Sequence, residues 1–172
     1  MRLNSDFYTL PAVSAAPLLL GKILCRQWNG QNLRYRITET EAYAGENDSA
    51  CHARFGKTPR NSVMYEPGGK AYIYLCYGIH YLLNIVTSWE NEPEAVLIRG
   101  IEGFNGPGKL TKELHIHRTL NGLDLTVSDE LWIEDDGIQF DYIKTPRIGI
   151  GYAREEDRAR LWRFVAPRNA SR

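Results

Sequence analysis

The sequence contains no long apolar run of the kind that crosses a membrane. Such a helix needs roughly 20 apolar residues, and the longest apolar stretches of these 172 residues are interrupted by Gly78 and Asn84. A short apolar patch near the N-terminus is broken by Asp6 and Pro11, which does not match a secretory signal. We therefore expect a cytoplasmic protein with no membrane partner, folded as one domain over residues 1–172.

Cysteine is scarce, and its spacing suggests neither disulfide bonds nor a zinc site. The three cysteines are Cys25, Cys51 and Cys76, an odd number at wide separations and without a Cys-x-x-Cys pair. The dipeptide Cys51-His52 has no further ligand residues at metal-binding spacing. We expect no metal and no cofactor.

An excess of charge of one sign is also absent, since 21 Lys and Arg balance 21 Asp and Glu. A zero net charge argues against a polyanionic partner, but the charges are unevenly distributed. Residues 121–140 contain six acids and no Lys or Arg, whereas residues 141–172 contain eight bases and four acids. This segregation would allow a basic face, although a solvated surface explains it equally well.

What the sequence does contain is alternating apolar patterning that predicts an α+β fold. We expect a single domain built on a mixed, largely antiparallel β-sheet, with a protruding β-hairpin and short flanking helices. Asn29-Gly30 is a hairpin signal between the first two strands, and a helix is expected over residues 11–20, ending at Gly21. The predicted strands cover residues 22–28, 33–43, 71–77, 79–87 and 94–101, with short strands near 130–134, 146–152 and 160–165.

Two carboxylates lie on the second predicted strand. A period of two places Glu39 and Glu41 on the same face as Leu33 and Ile37, which should point inward. A buried carboxylate is costly unless it is paired or hydrogen-bonded, and the raised pKa of such a group would suit a general base. Alternatively, the strand has left the core at Glu39 and both acids are solvated. The pattern favours neither alternative.

The stretch YIYLCYGIHYLLN, residues 72–84, carries four tyrosines around one glycine. Tyr77 precedes Gly78, where the chain should reverse, so Tyr77 would project from a hairpin tip. An exposed aromatic side chain beside basic residues suits a wedge between stacked bases, whereas a core position is the commoner explanation for any one tyrosine. Asn84 interrupts an apolar run, and it should either serve the fold or line a polar pocket.

The segment GPGKLT, residues 106–111, has only part of the pattern of a phosphate-binding loop. Lys109 is followed by Leu110 and not by the Ser or Thr that a Walker A loop requires. A helix N-terminus with Gly106, Gly108 and a lysine would still offer a modest site for one phosphate. Helix capping explains the segment nearly as well.

Several of these segments together resemble the alkyladenine, or methylpurine, DNA glycosylase family in its compact bacterial form. The resemblance begins with ITETEAYAGENDSACHARFGKTPRNSVMYEPGGKAYIYLCYGIHYLLNIVT and continues in the same order with AVLIRGIE, NGPGKLTKEL and RIGIGYA. It extends from about residue 18 to residue 164. His80 departs from the pattern, since the vertebrate enzyme has tyrosine there. Members of the family flip a damaged purine nucleotide out of the duplex and hydrolyse its N-glycosidic bond.

The resemblance implies the residues of a catalytic site and a base pocket. Glu41 would activate the attacking water, and Arg99 would help to hold that water and the carboxylate. Tyr43 and His52 would stack on one face of the flipped base, with Tyr74 on the other.

The same resemblance implies the contacts with DNA and the selectivity of the pocket. Tyr77 would fill the gap that the flipped nucleotide leaves in the duplex. Asn84 would crowd the 2-amino group of normal guanine. Lys109, with the backbone around Gly106 and Gly108, would bind phosphate.

The implied enzyme is a monofunctional 3-methyladenine DNA glycosylase that leaves an abasic site and has no lyase activity. Its expected substrates are 3-methyladenine, 7-methylguanine, hypoxanthine and ethenoadenine in double-stranded DNA, and we expect a monomer associated with a bacterial nucleoid. Two other classes stay open. A non-catalytic nucleic-acid-binding module would need the aromatic residues but not an inward Glu41, and a small-molecule nucleosidase would not need Tyr77 as a wedge.

Overall fold

The computed structural model describes residues 1–167. The first half contains helices α1 (Ser5–Tyr8) and α2 (Ala12–Leu18) and strands β1 (Ile23–Trp28), β2 (Gln31–Ala44), β3 (Ala71–Cys76) and β4 (His80–Thr87). The second half contains strands β5 (Glu94–Ile101), β6 (Phe104–Asn105), β7 (Leu131–Glu134), β8 (Ile143–Thr145) and β9 (Arg163–Val165), with helices α3 (Pro107–Glu113) and α4 (Glu155–Ala159). None of the helices in this part of the chain is long and apolar enough to cross a membrane. Residues 168–172, the end of the predicted domain, lie outside the described residues.

The nine strands form one sheet, and every strand pair within residues 1–167 is antiparallel. The order along the sheet is β3-β4-β5-β2-β1-β7, with β6 added to β5 and with β9 pairing both β2 and β8. The predicted α+β fold is confirmed, because one large antiparallel sheet carries a few short helices in a single domain. The β3–β4 hairpin stands at one end of the strand order, where it is free to protrude.

The main core lies where α2 and α3 pack against the sheet. Helix α2 presents Ala12, Ala15 and Ala16, which are fully buried, and these small side chains let the helix lie close to β2. The Thr40 hydroxyl on β2 donates a hydrogen bond of 2.9 Å to the carbonyl oxygen of Ala16. Since successive residues of a strand point to opposite faces, Glu41 faces away from this helix.

The predicted strand over residues 146–152 is wrong. Pro146 has no backbone N–H to donate, and the N–H of Ile148 donates to the Glu41 carboxylate at 2.6 Å instead of to a neighbouring strand. Gly149 has a φ of +74°, so the segment forms a loop after β8. Two other predicted elements are present but shorter, since α2 ends at Leu18 and β9 covers only Arg163–Val165.

The acidic run over residues 121–140 is neutralised by cations from elsewhere in the chain. Each of its six acids pairs with a Lys or Arg at N–O distances of 2.6–3.9 Å. The pairs are Lys70–Asp124, Arg2–Asp129, Arg26–Glu130, Arg34–Glu134, Lys22–Asp135 and Arg36–Asp136. Exposed ion pairs add little stability, but these occupy the cations of β1 and β2.

Candidate active site

A cavity of about 530 Å³ opens between the β3–β4 hairpin, β5, the start of α3 and the loop after β8. Ligand pockets typically have volumes of about 300–1,000 Å³. Nine of the ten predicted site residues line this cavity, namely Tyr43, His52, Tyr74, Tyr77, Asn84, Arg99, Gly106, Gly108 and Lys109. The tenth, Glu41, lies directly behind the lining and contacts Tyr43 and Ile148. The fold thus brings together residues that are far apart in the sequence.

Glu41 is fully buried, with 0% exposure, and both of its carboxylate oxygens have partners. Oε1 accepts a hydrogen bond from the Tyr43 hydroxyl at 3.0 Å and lies 3.6 Å from Nη1 of Arg99. Oε2 accepts the backbone N–H of Ile148. Burial raises the pKa of Glu41, while the charge of Arg99 and the two hydrogen bonds act in the opposite direction. The solvated alternative is therefore wrong, and the environment is that of a candidate general base.

Arg99 is held by a second carboxylate. Oε1 of Glu39 accepts hydrogen bonds from Nε of Arg99 at 3.0 Å and from Nε of Arg163 at 2.6 Å. A bulge shifts the β2–β5 register at Glu39, so this residue and Glu41 are not equivalent positions of one regular strand face. Because two arginines neutralise Glu39, it orients Arg99 and leaves Glu41 as the better candidate base.

The aromatic side chains of the cavity are not arranged as the resemblance implied. The rings of His52 and Tyr74 are in contact, with centroids 4.3 Å apart and planes at 54°. A base between two rings needs about 3.5 Å on each side, or roughly 7 Å in all, so these two rings cannot hold one base between them in this structure. They form one wall of the cavity. Tyr43, whose ring stacks on neither of them within the described residues, forms another.

His52 is neutral at physiological pH. Burial lowers the pKa of His52 to about 4, and the charges of Arg60 and Arg54 act in the same direction. Nδ1 of His52 lies 2.9 Å from the hydroxyl of Tyr72, which fixes the ring. A neutral ring stacks on a cationic purine without charge repulsion.

Asn84 has both of the functions that the sequence left open. Its Nδ2 donates a hydrogen bond of 3.2 Å to the carbonyl oxygen of Tyr72, directly across the β3–β4 ladder. The side chain is buried and also lines the cavity. Asn84 therefore satisfies the strand backbone while it presents an amide to the pocket.

Tyr77 lies at the tip of the β3–β4 hairpin and is 91% exposed. Tyr77 and Gly78 have φ values of +51° and +65°, and the N–H of Ile79 donates to the carbonyl oxygen of Cys76 at 3.1 Å. Positive φ at both central residues is the signature of a type I′ hairpin turn. The core position considered for this tyrosine is excluded by its exposure.

The start of α3 closes one side of the cavity. The N–H of Gly106 donates to the carbonyl oxygen of Arg99 at 3.0 Å, so this N–H is already occupied. A Cβ atom at Gly108 would lie 2.7 Å from Cγ of His80, which explains why the helix needs glycine there. Lys109 lines the cavity and forms no ion pair within residues 1–167.

Arg147, which lies behind Tyr43, was not among the residues predicted from the sequence. Its guanidinium forms a buried ion pair with Asp48, at 2.6 Å from Nη1 and 2.9 Å from Nη2. Burial acts to lower the pKa of Arg147, but pairing with Asp48 outweighs it, so the pKa is raised. The pattern RIGIGYA gives no sign of a partner 99 positions away.

Residues 1–167 contain no group of three or more His, Cys, Asp or Glu side chains that could hold a metal ion. The three cysteines are free, and Cys76 lines the cavity.

The chain is similar in sequence to proteins of one known family. The family model of the methylpurine-DNA glycosylases matches residues 6–104 and 102–170. A protein of Borrelia garinii is 45% identical over 176 residues, which cover 95% of each chain. Proteins of a Wolbachia species and of Methanocella arvoryzae are 46% and 45% identical, over 94% of this chain and 95% and 90% of their own. All three are provisionally named 3-methyladenine DNA glycosylases. The chain belongs to the methylpurine-DNA glycosylase family.

Proposed function

We propose that this protein is a DNA repair glycosylase that releases alkylated purines from double-stranded DNA and leaves abasic sites. The observation that carries this proposal is the position of Glu41, fully buried behind an aromatic cavity with both oxygens hydrogen-bonded. A nucleic-acid-binding module needs stacking aromatics, but a carboxylate would only repel its phosphates. Family membership and the names of the relatives support the same activity.

The flipped purine nucleotide occupies the cavity between Tyr43 on one side and the His52–Tyr74 pair on the other. Alkylated purines such as 3-methyladenine and 7-methylguanine carry a positive charge, and aromatic faces attract cations. The neutral state of His52 preserves this attraction. Asn84 at the pocket lining disfavours the 2-amino group of normal guanine.

The bond between C1′ and the purine nitrogen breaks as water attacks C1′. Glu41 accepts a proton from that water, and the bonding electrons leave with the purine, which becomes neutral. Arg99 stabilises the carboxylate beside a transition state with oxocarbenium character. Hypoxanthine and ethenoadenine are uncharged in DNA. Their release therefore also requires that the leaving base be protonated.

Lys109 lines the same cavity, and we assign it to a DNA phosphate. Hydrolysis by a Glu41-activated water needs no amine nucleophile, so the enzyme is monofunctional. Borohydride added during turnover should therefore trap no covalent protein–DNA adduct. An adduct that forms with the wild type and disappears in Lys109→Gln would contradict this assignment.

Tyr77 enters the duplex as the nucleotide leaves it, because an exposed aromatic at a hairpin tip can replace the lost stacking. A nucleosidase that acts on free nucleosides has no use for such a side chain. All ten site residues come from one chain, and we propose that a monomer acts on DNA.

Duplexes that carry a single 3-methyladenine, hypoxanthine or ethenoadenine test the activity. After incubation, alkali cleaves the strand at any abasic site. We expect cleavage with wild-type protein and cleavage at least about 100-fold slower with Glu41→Gln. Tight binding to all three duplexes without any abasic sites would favour the non-catalytic binding module.

A further inference from the structure

Tyr43 is the inner end of a stack of four side chains that reaches the protein surface. The guanidinium carbon of Arg147 lies 4.9 Å from the ring centroid of Tyr43 and 4.9 Å from that of Trp162. Arg160 lies 4.7 Å from the Trp162 ring. We call Tyr43, Arg147, Trp162 and Arg160 the arginine column. Each of its contacts is a cation–π attraction.

Hydrogen bonds hold the edge of the Arg147 guanidinium, just as the two aromatic rings contact its faces. Besides the paired Asp48, Nη1 donates to the carbonyl oxygen of Ala42 at 3.0 Å, and Nη2 donates to that of Asp157 at 3.3 Å. Ala42 stands on β2 between Glu41 and Tyr43. Arg147 is therefore bound to the strand that carries both the proposed base and one wall of the cavity.

Arg147 is also tied to Glu41 through the chain. The next residue, Ile148, donates its backbone N–H to Oε2 of Glu41 at 2.6 Å. Moving the guanidinium would therefore move the Tyr43 ring, which it contacts directly. It would also move Ile148 and, through the hydrogen bond from the Ile148 N–H, the Glu41 carboxylate. Arg147 thus contacts the Tyr43 ring, and the backbone of the next residue binds the Glu41 carboxylate.

We propose that Arg147 is a positioning residue for base release, which acts through Tyr43 and Glu41 and is kept in place by Trp162. The inference rests on the proposed glycosylase function. A loosened Tyr43 can still stack on a base, but C1′ of the nucleotide then lies off the line from Glu41. Because small displacements of reacting atoms cost large factors in rate, the loss should appear in the chemical step rather than in binding.

The test uses Trp162→Leu, which removes the outer support without touching the cavity. Trp132→Leu is the matched control, because Trp132 also contacts an arginine, with Arg2 at 5.2 Å from its ring, but lies on β7 away from the cavity. We expect Trp162→Leu to lower the single-turnover rate on a 3-methyladenine duplex about 10-fold. Its affinity for that duplex should stay within about twofold. Trp162→Phe keeps a flat ring and should restore most of the rate.

Arg147→Lys keeps the charge but not the planar, two-pronged group, and it should lose at least as much rate as Trp162→Leu. Equal rates in Trp162→Leu and Trp132→Leu, or losses that follow only their melting temperatures, would overturn the positioning role. A wild type that releases no methylated purine would instead contradict the proposed function, and the positioning role with it.

Discussion

At the scale of single residues, opposing effects act on the carboxylate that we propose as the general base. Burial raises the pKa of Glu41, while Arg99 and the Ile148 and Tyr43 hydrogen bonds favour its charged form. Burial alone would leave the group protonated and unable to accept a proton. Exposure alone would leave it a weak base. The balance leaves the pKa of Glu41 raised, which makes the ionised carboxylate a stronger base than an exposed one.

Replacing the carboxylate by an amide separates catalysis from folding. We expect Glu41→Gln to lower single-turnover base release by about 100- to 10,000-fold, the usual cost of losing a general base, with lesion binding retained. Because the folded-state pKa of Glu41 is raised, the protein is most stable with this group protonated, and that stability is lost as pH rises through the folded pKa. The neutral Gln avoids the cost of a buried charge, which offsets part of the loss of the one hydrogen bond that its amide nitrogen cannot accept, so the variant should stay folded at neutral pH. Release at the wild-type rate would remove Glu41 from the mechanism, and exposed Glu90→Gln serves as the control.

A second residue-scale prediction concerns Asn84. Asn84→Ser should allow slow release of undamaged guanine, because a smaller side chain no longer crowds the 2-amino group. The lost hydrogen bond to Tyr72 should lower stability by about 1 kcal/mol. Free guanine released from an unmodified duplex measures the first effect, and a thermal melt measures the second. A stability loss without guanine release would mean that Asn84 serves the fold alone.

At the scale of elements, features that depend on neighbouring residues were predicted well from the sequence. Features that depend on residues far apart in the chain were not. Asn29-Gly30 and Gly78 mark hairpins because Asn and Gly readily adopt the positive φ that such turns require. The loop after β8 was predicted as a strand because the hydrogen-bond partner of Ile148 is a carboxylate 107 positions away. The contact between His52 and Tyr74 likewise depends on how a loop packs on β3, which no spacing reveals.

The β3–β4 hairpin gives the third prediction. Tyr77→Ser should lower excision most for lesions that remain stably paired with their partner base, because unfilled stacking costs a few kcal/mol. Lesions in mismatches should be affected less. Since Tyr77 is exposed, stability should change by no more than about 0.5 kcal/mol.

Trp89→Ser is the control for this variant, because Trp89 is also a large exposed side chain but does not line the cavity. A Tyr77→Ser protein that loses the same fraction of activity on paired and mismatched lesions would argue against a wedge.

At the scale of the whole molecule, the net charge is zero, but only some of the described basic side chains are paired with acids. Ion pairs with the acidic run occupy the basic residues of β1 and β2. Within residues 1–167, Arg54, Arg60 and Lys109 form no ion pair. Lys109 lines the main cavity, and the two arginines line a smaller pocket that shares His52, Tyr72 and Tyr152 with it. Three of the unpaired cations thus lie around the site, whereas Lys112, Lys144 and Arg158 are unpaired elsewhere on the described surface.

Salt dependence measures how many of these cations meet phosphates. Each phosphate contact adds about −0.9 to the slope of log K against log salt concentration, so three contacts predict a slope of about −2.7. Lys109→Gln should make the slope shallower by about 1. Lys112→Gln removes an exposed lysine of the same helix that does not line the cavity, and it should leave the slope unchanged. Identical slopes for both variants would show that Lys109 does not contact phosphate.

The left-handed backbone at Tyr77 has a consequence for how such an enzyme would search DNA. A non-glycine residue in this conformation costs about 1–2 kcal/mol, and the protein meets that cost when it folds, before any encounter with a duplex. As the proposed wedge, the hairpin tip would already have its final backbone conformation when it meets DNA, and it would need no rearrangement of its own. With Tyr77 as that wedge, the rate of interrogation would depend on how readily each base pair opens, and a first pass over DNA would respond to weakened pairing. The chemical identity of the base would be examined afterwards, in the cavity.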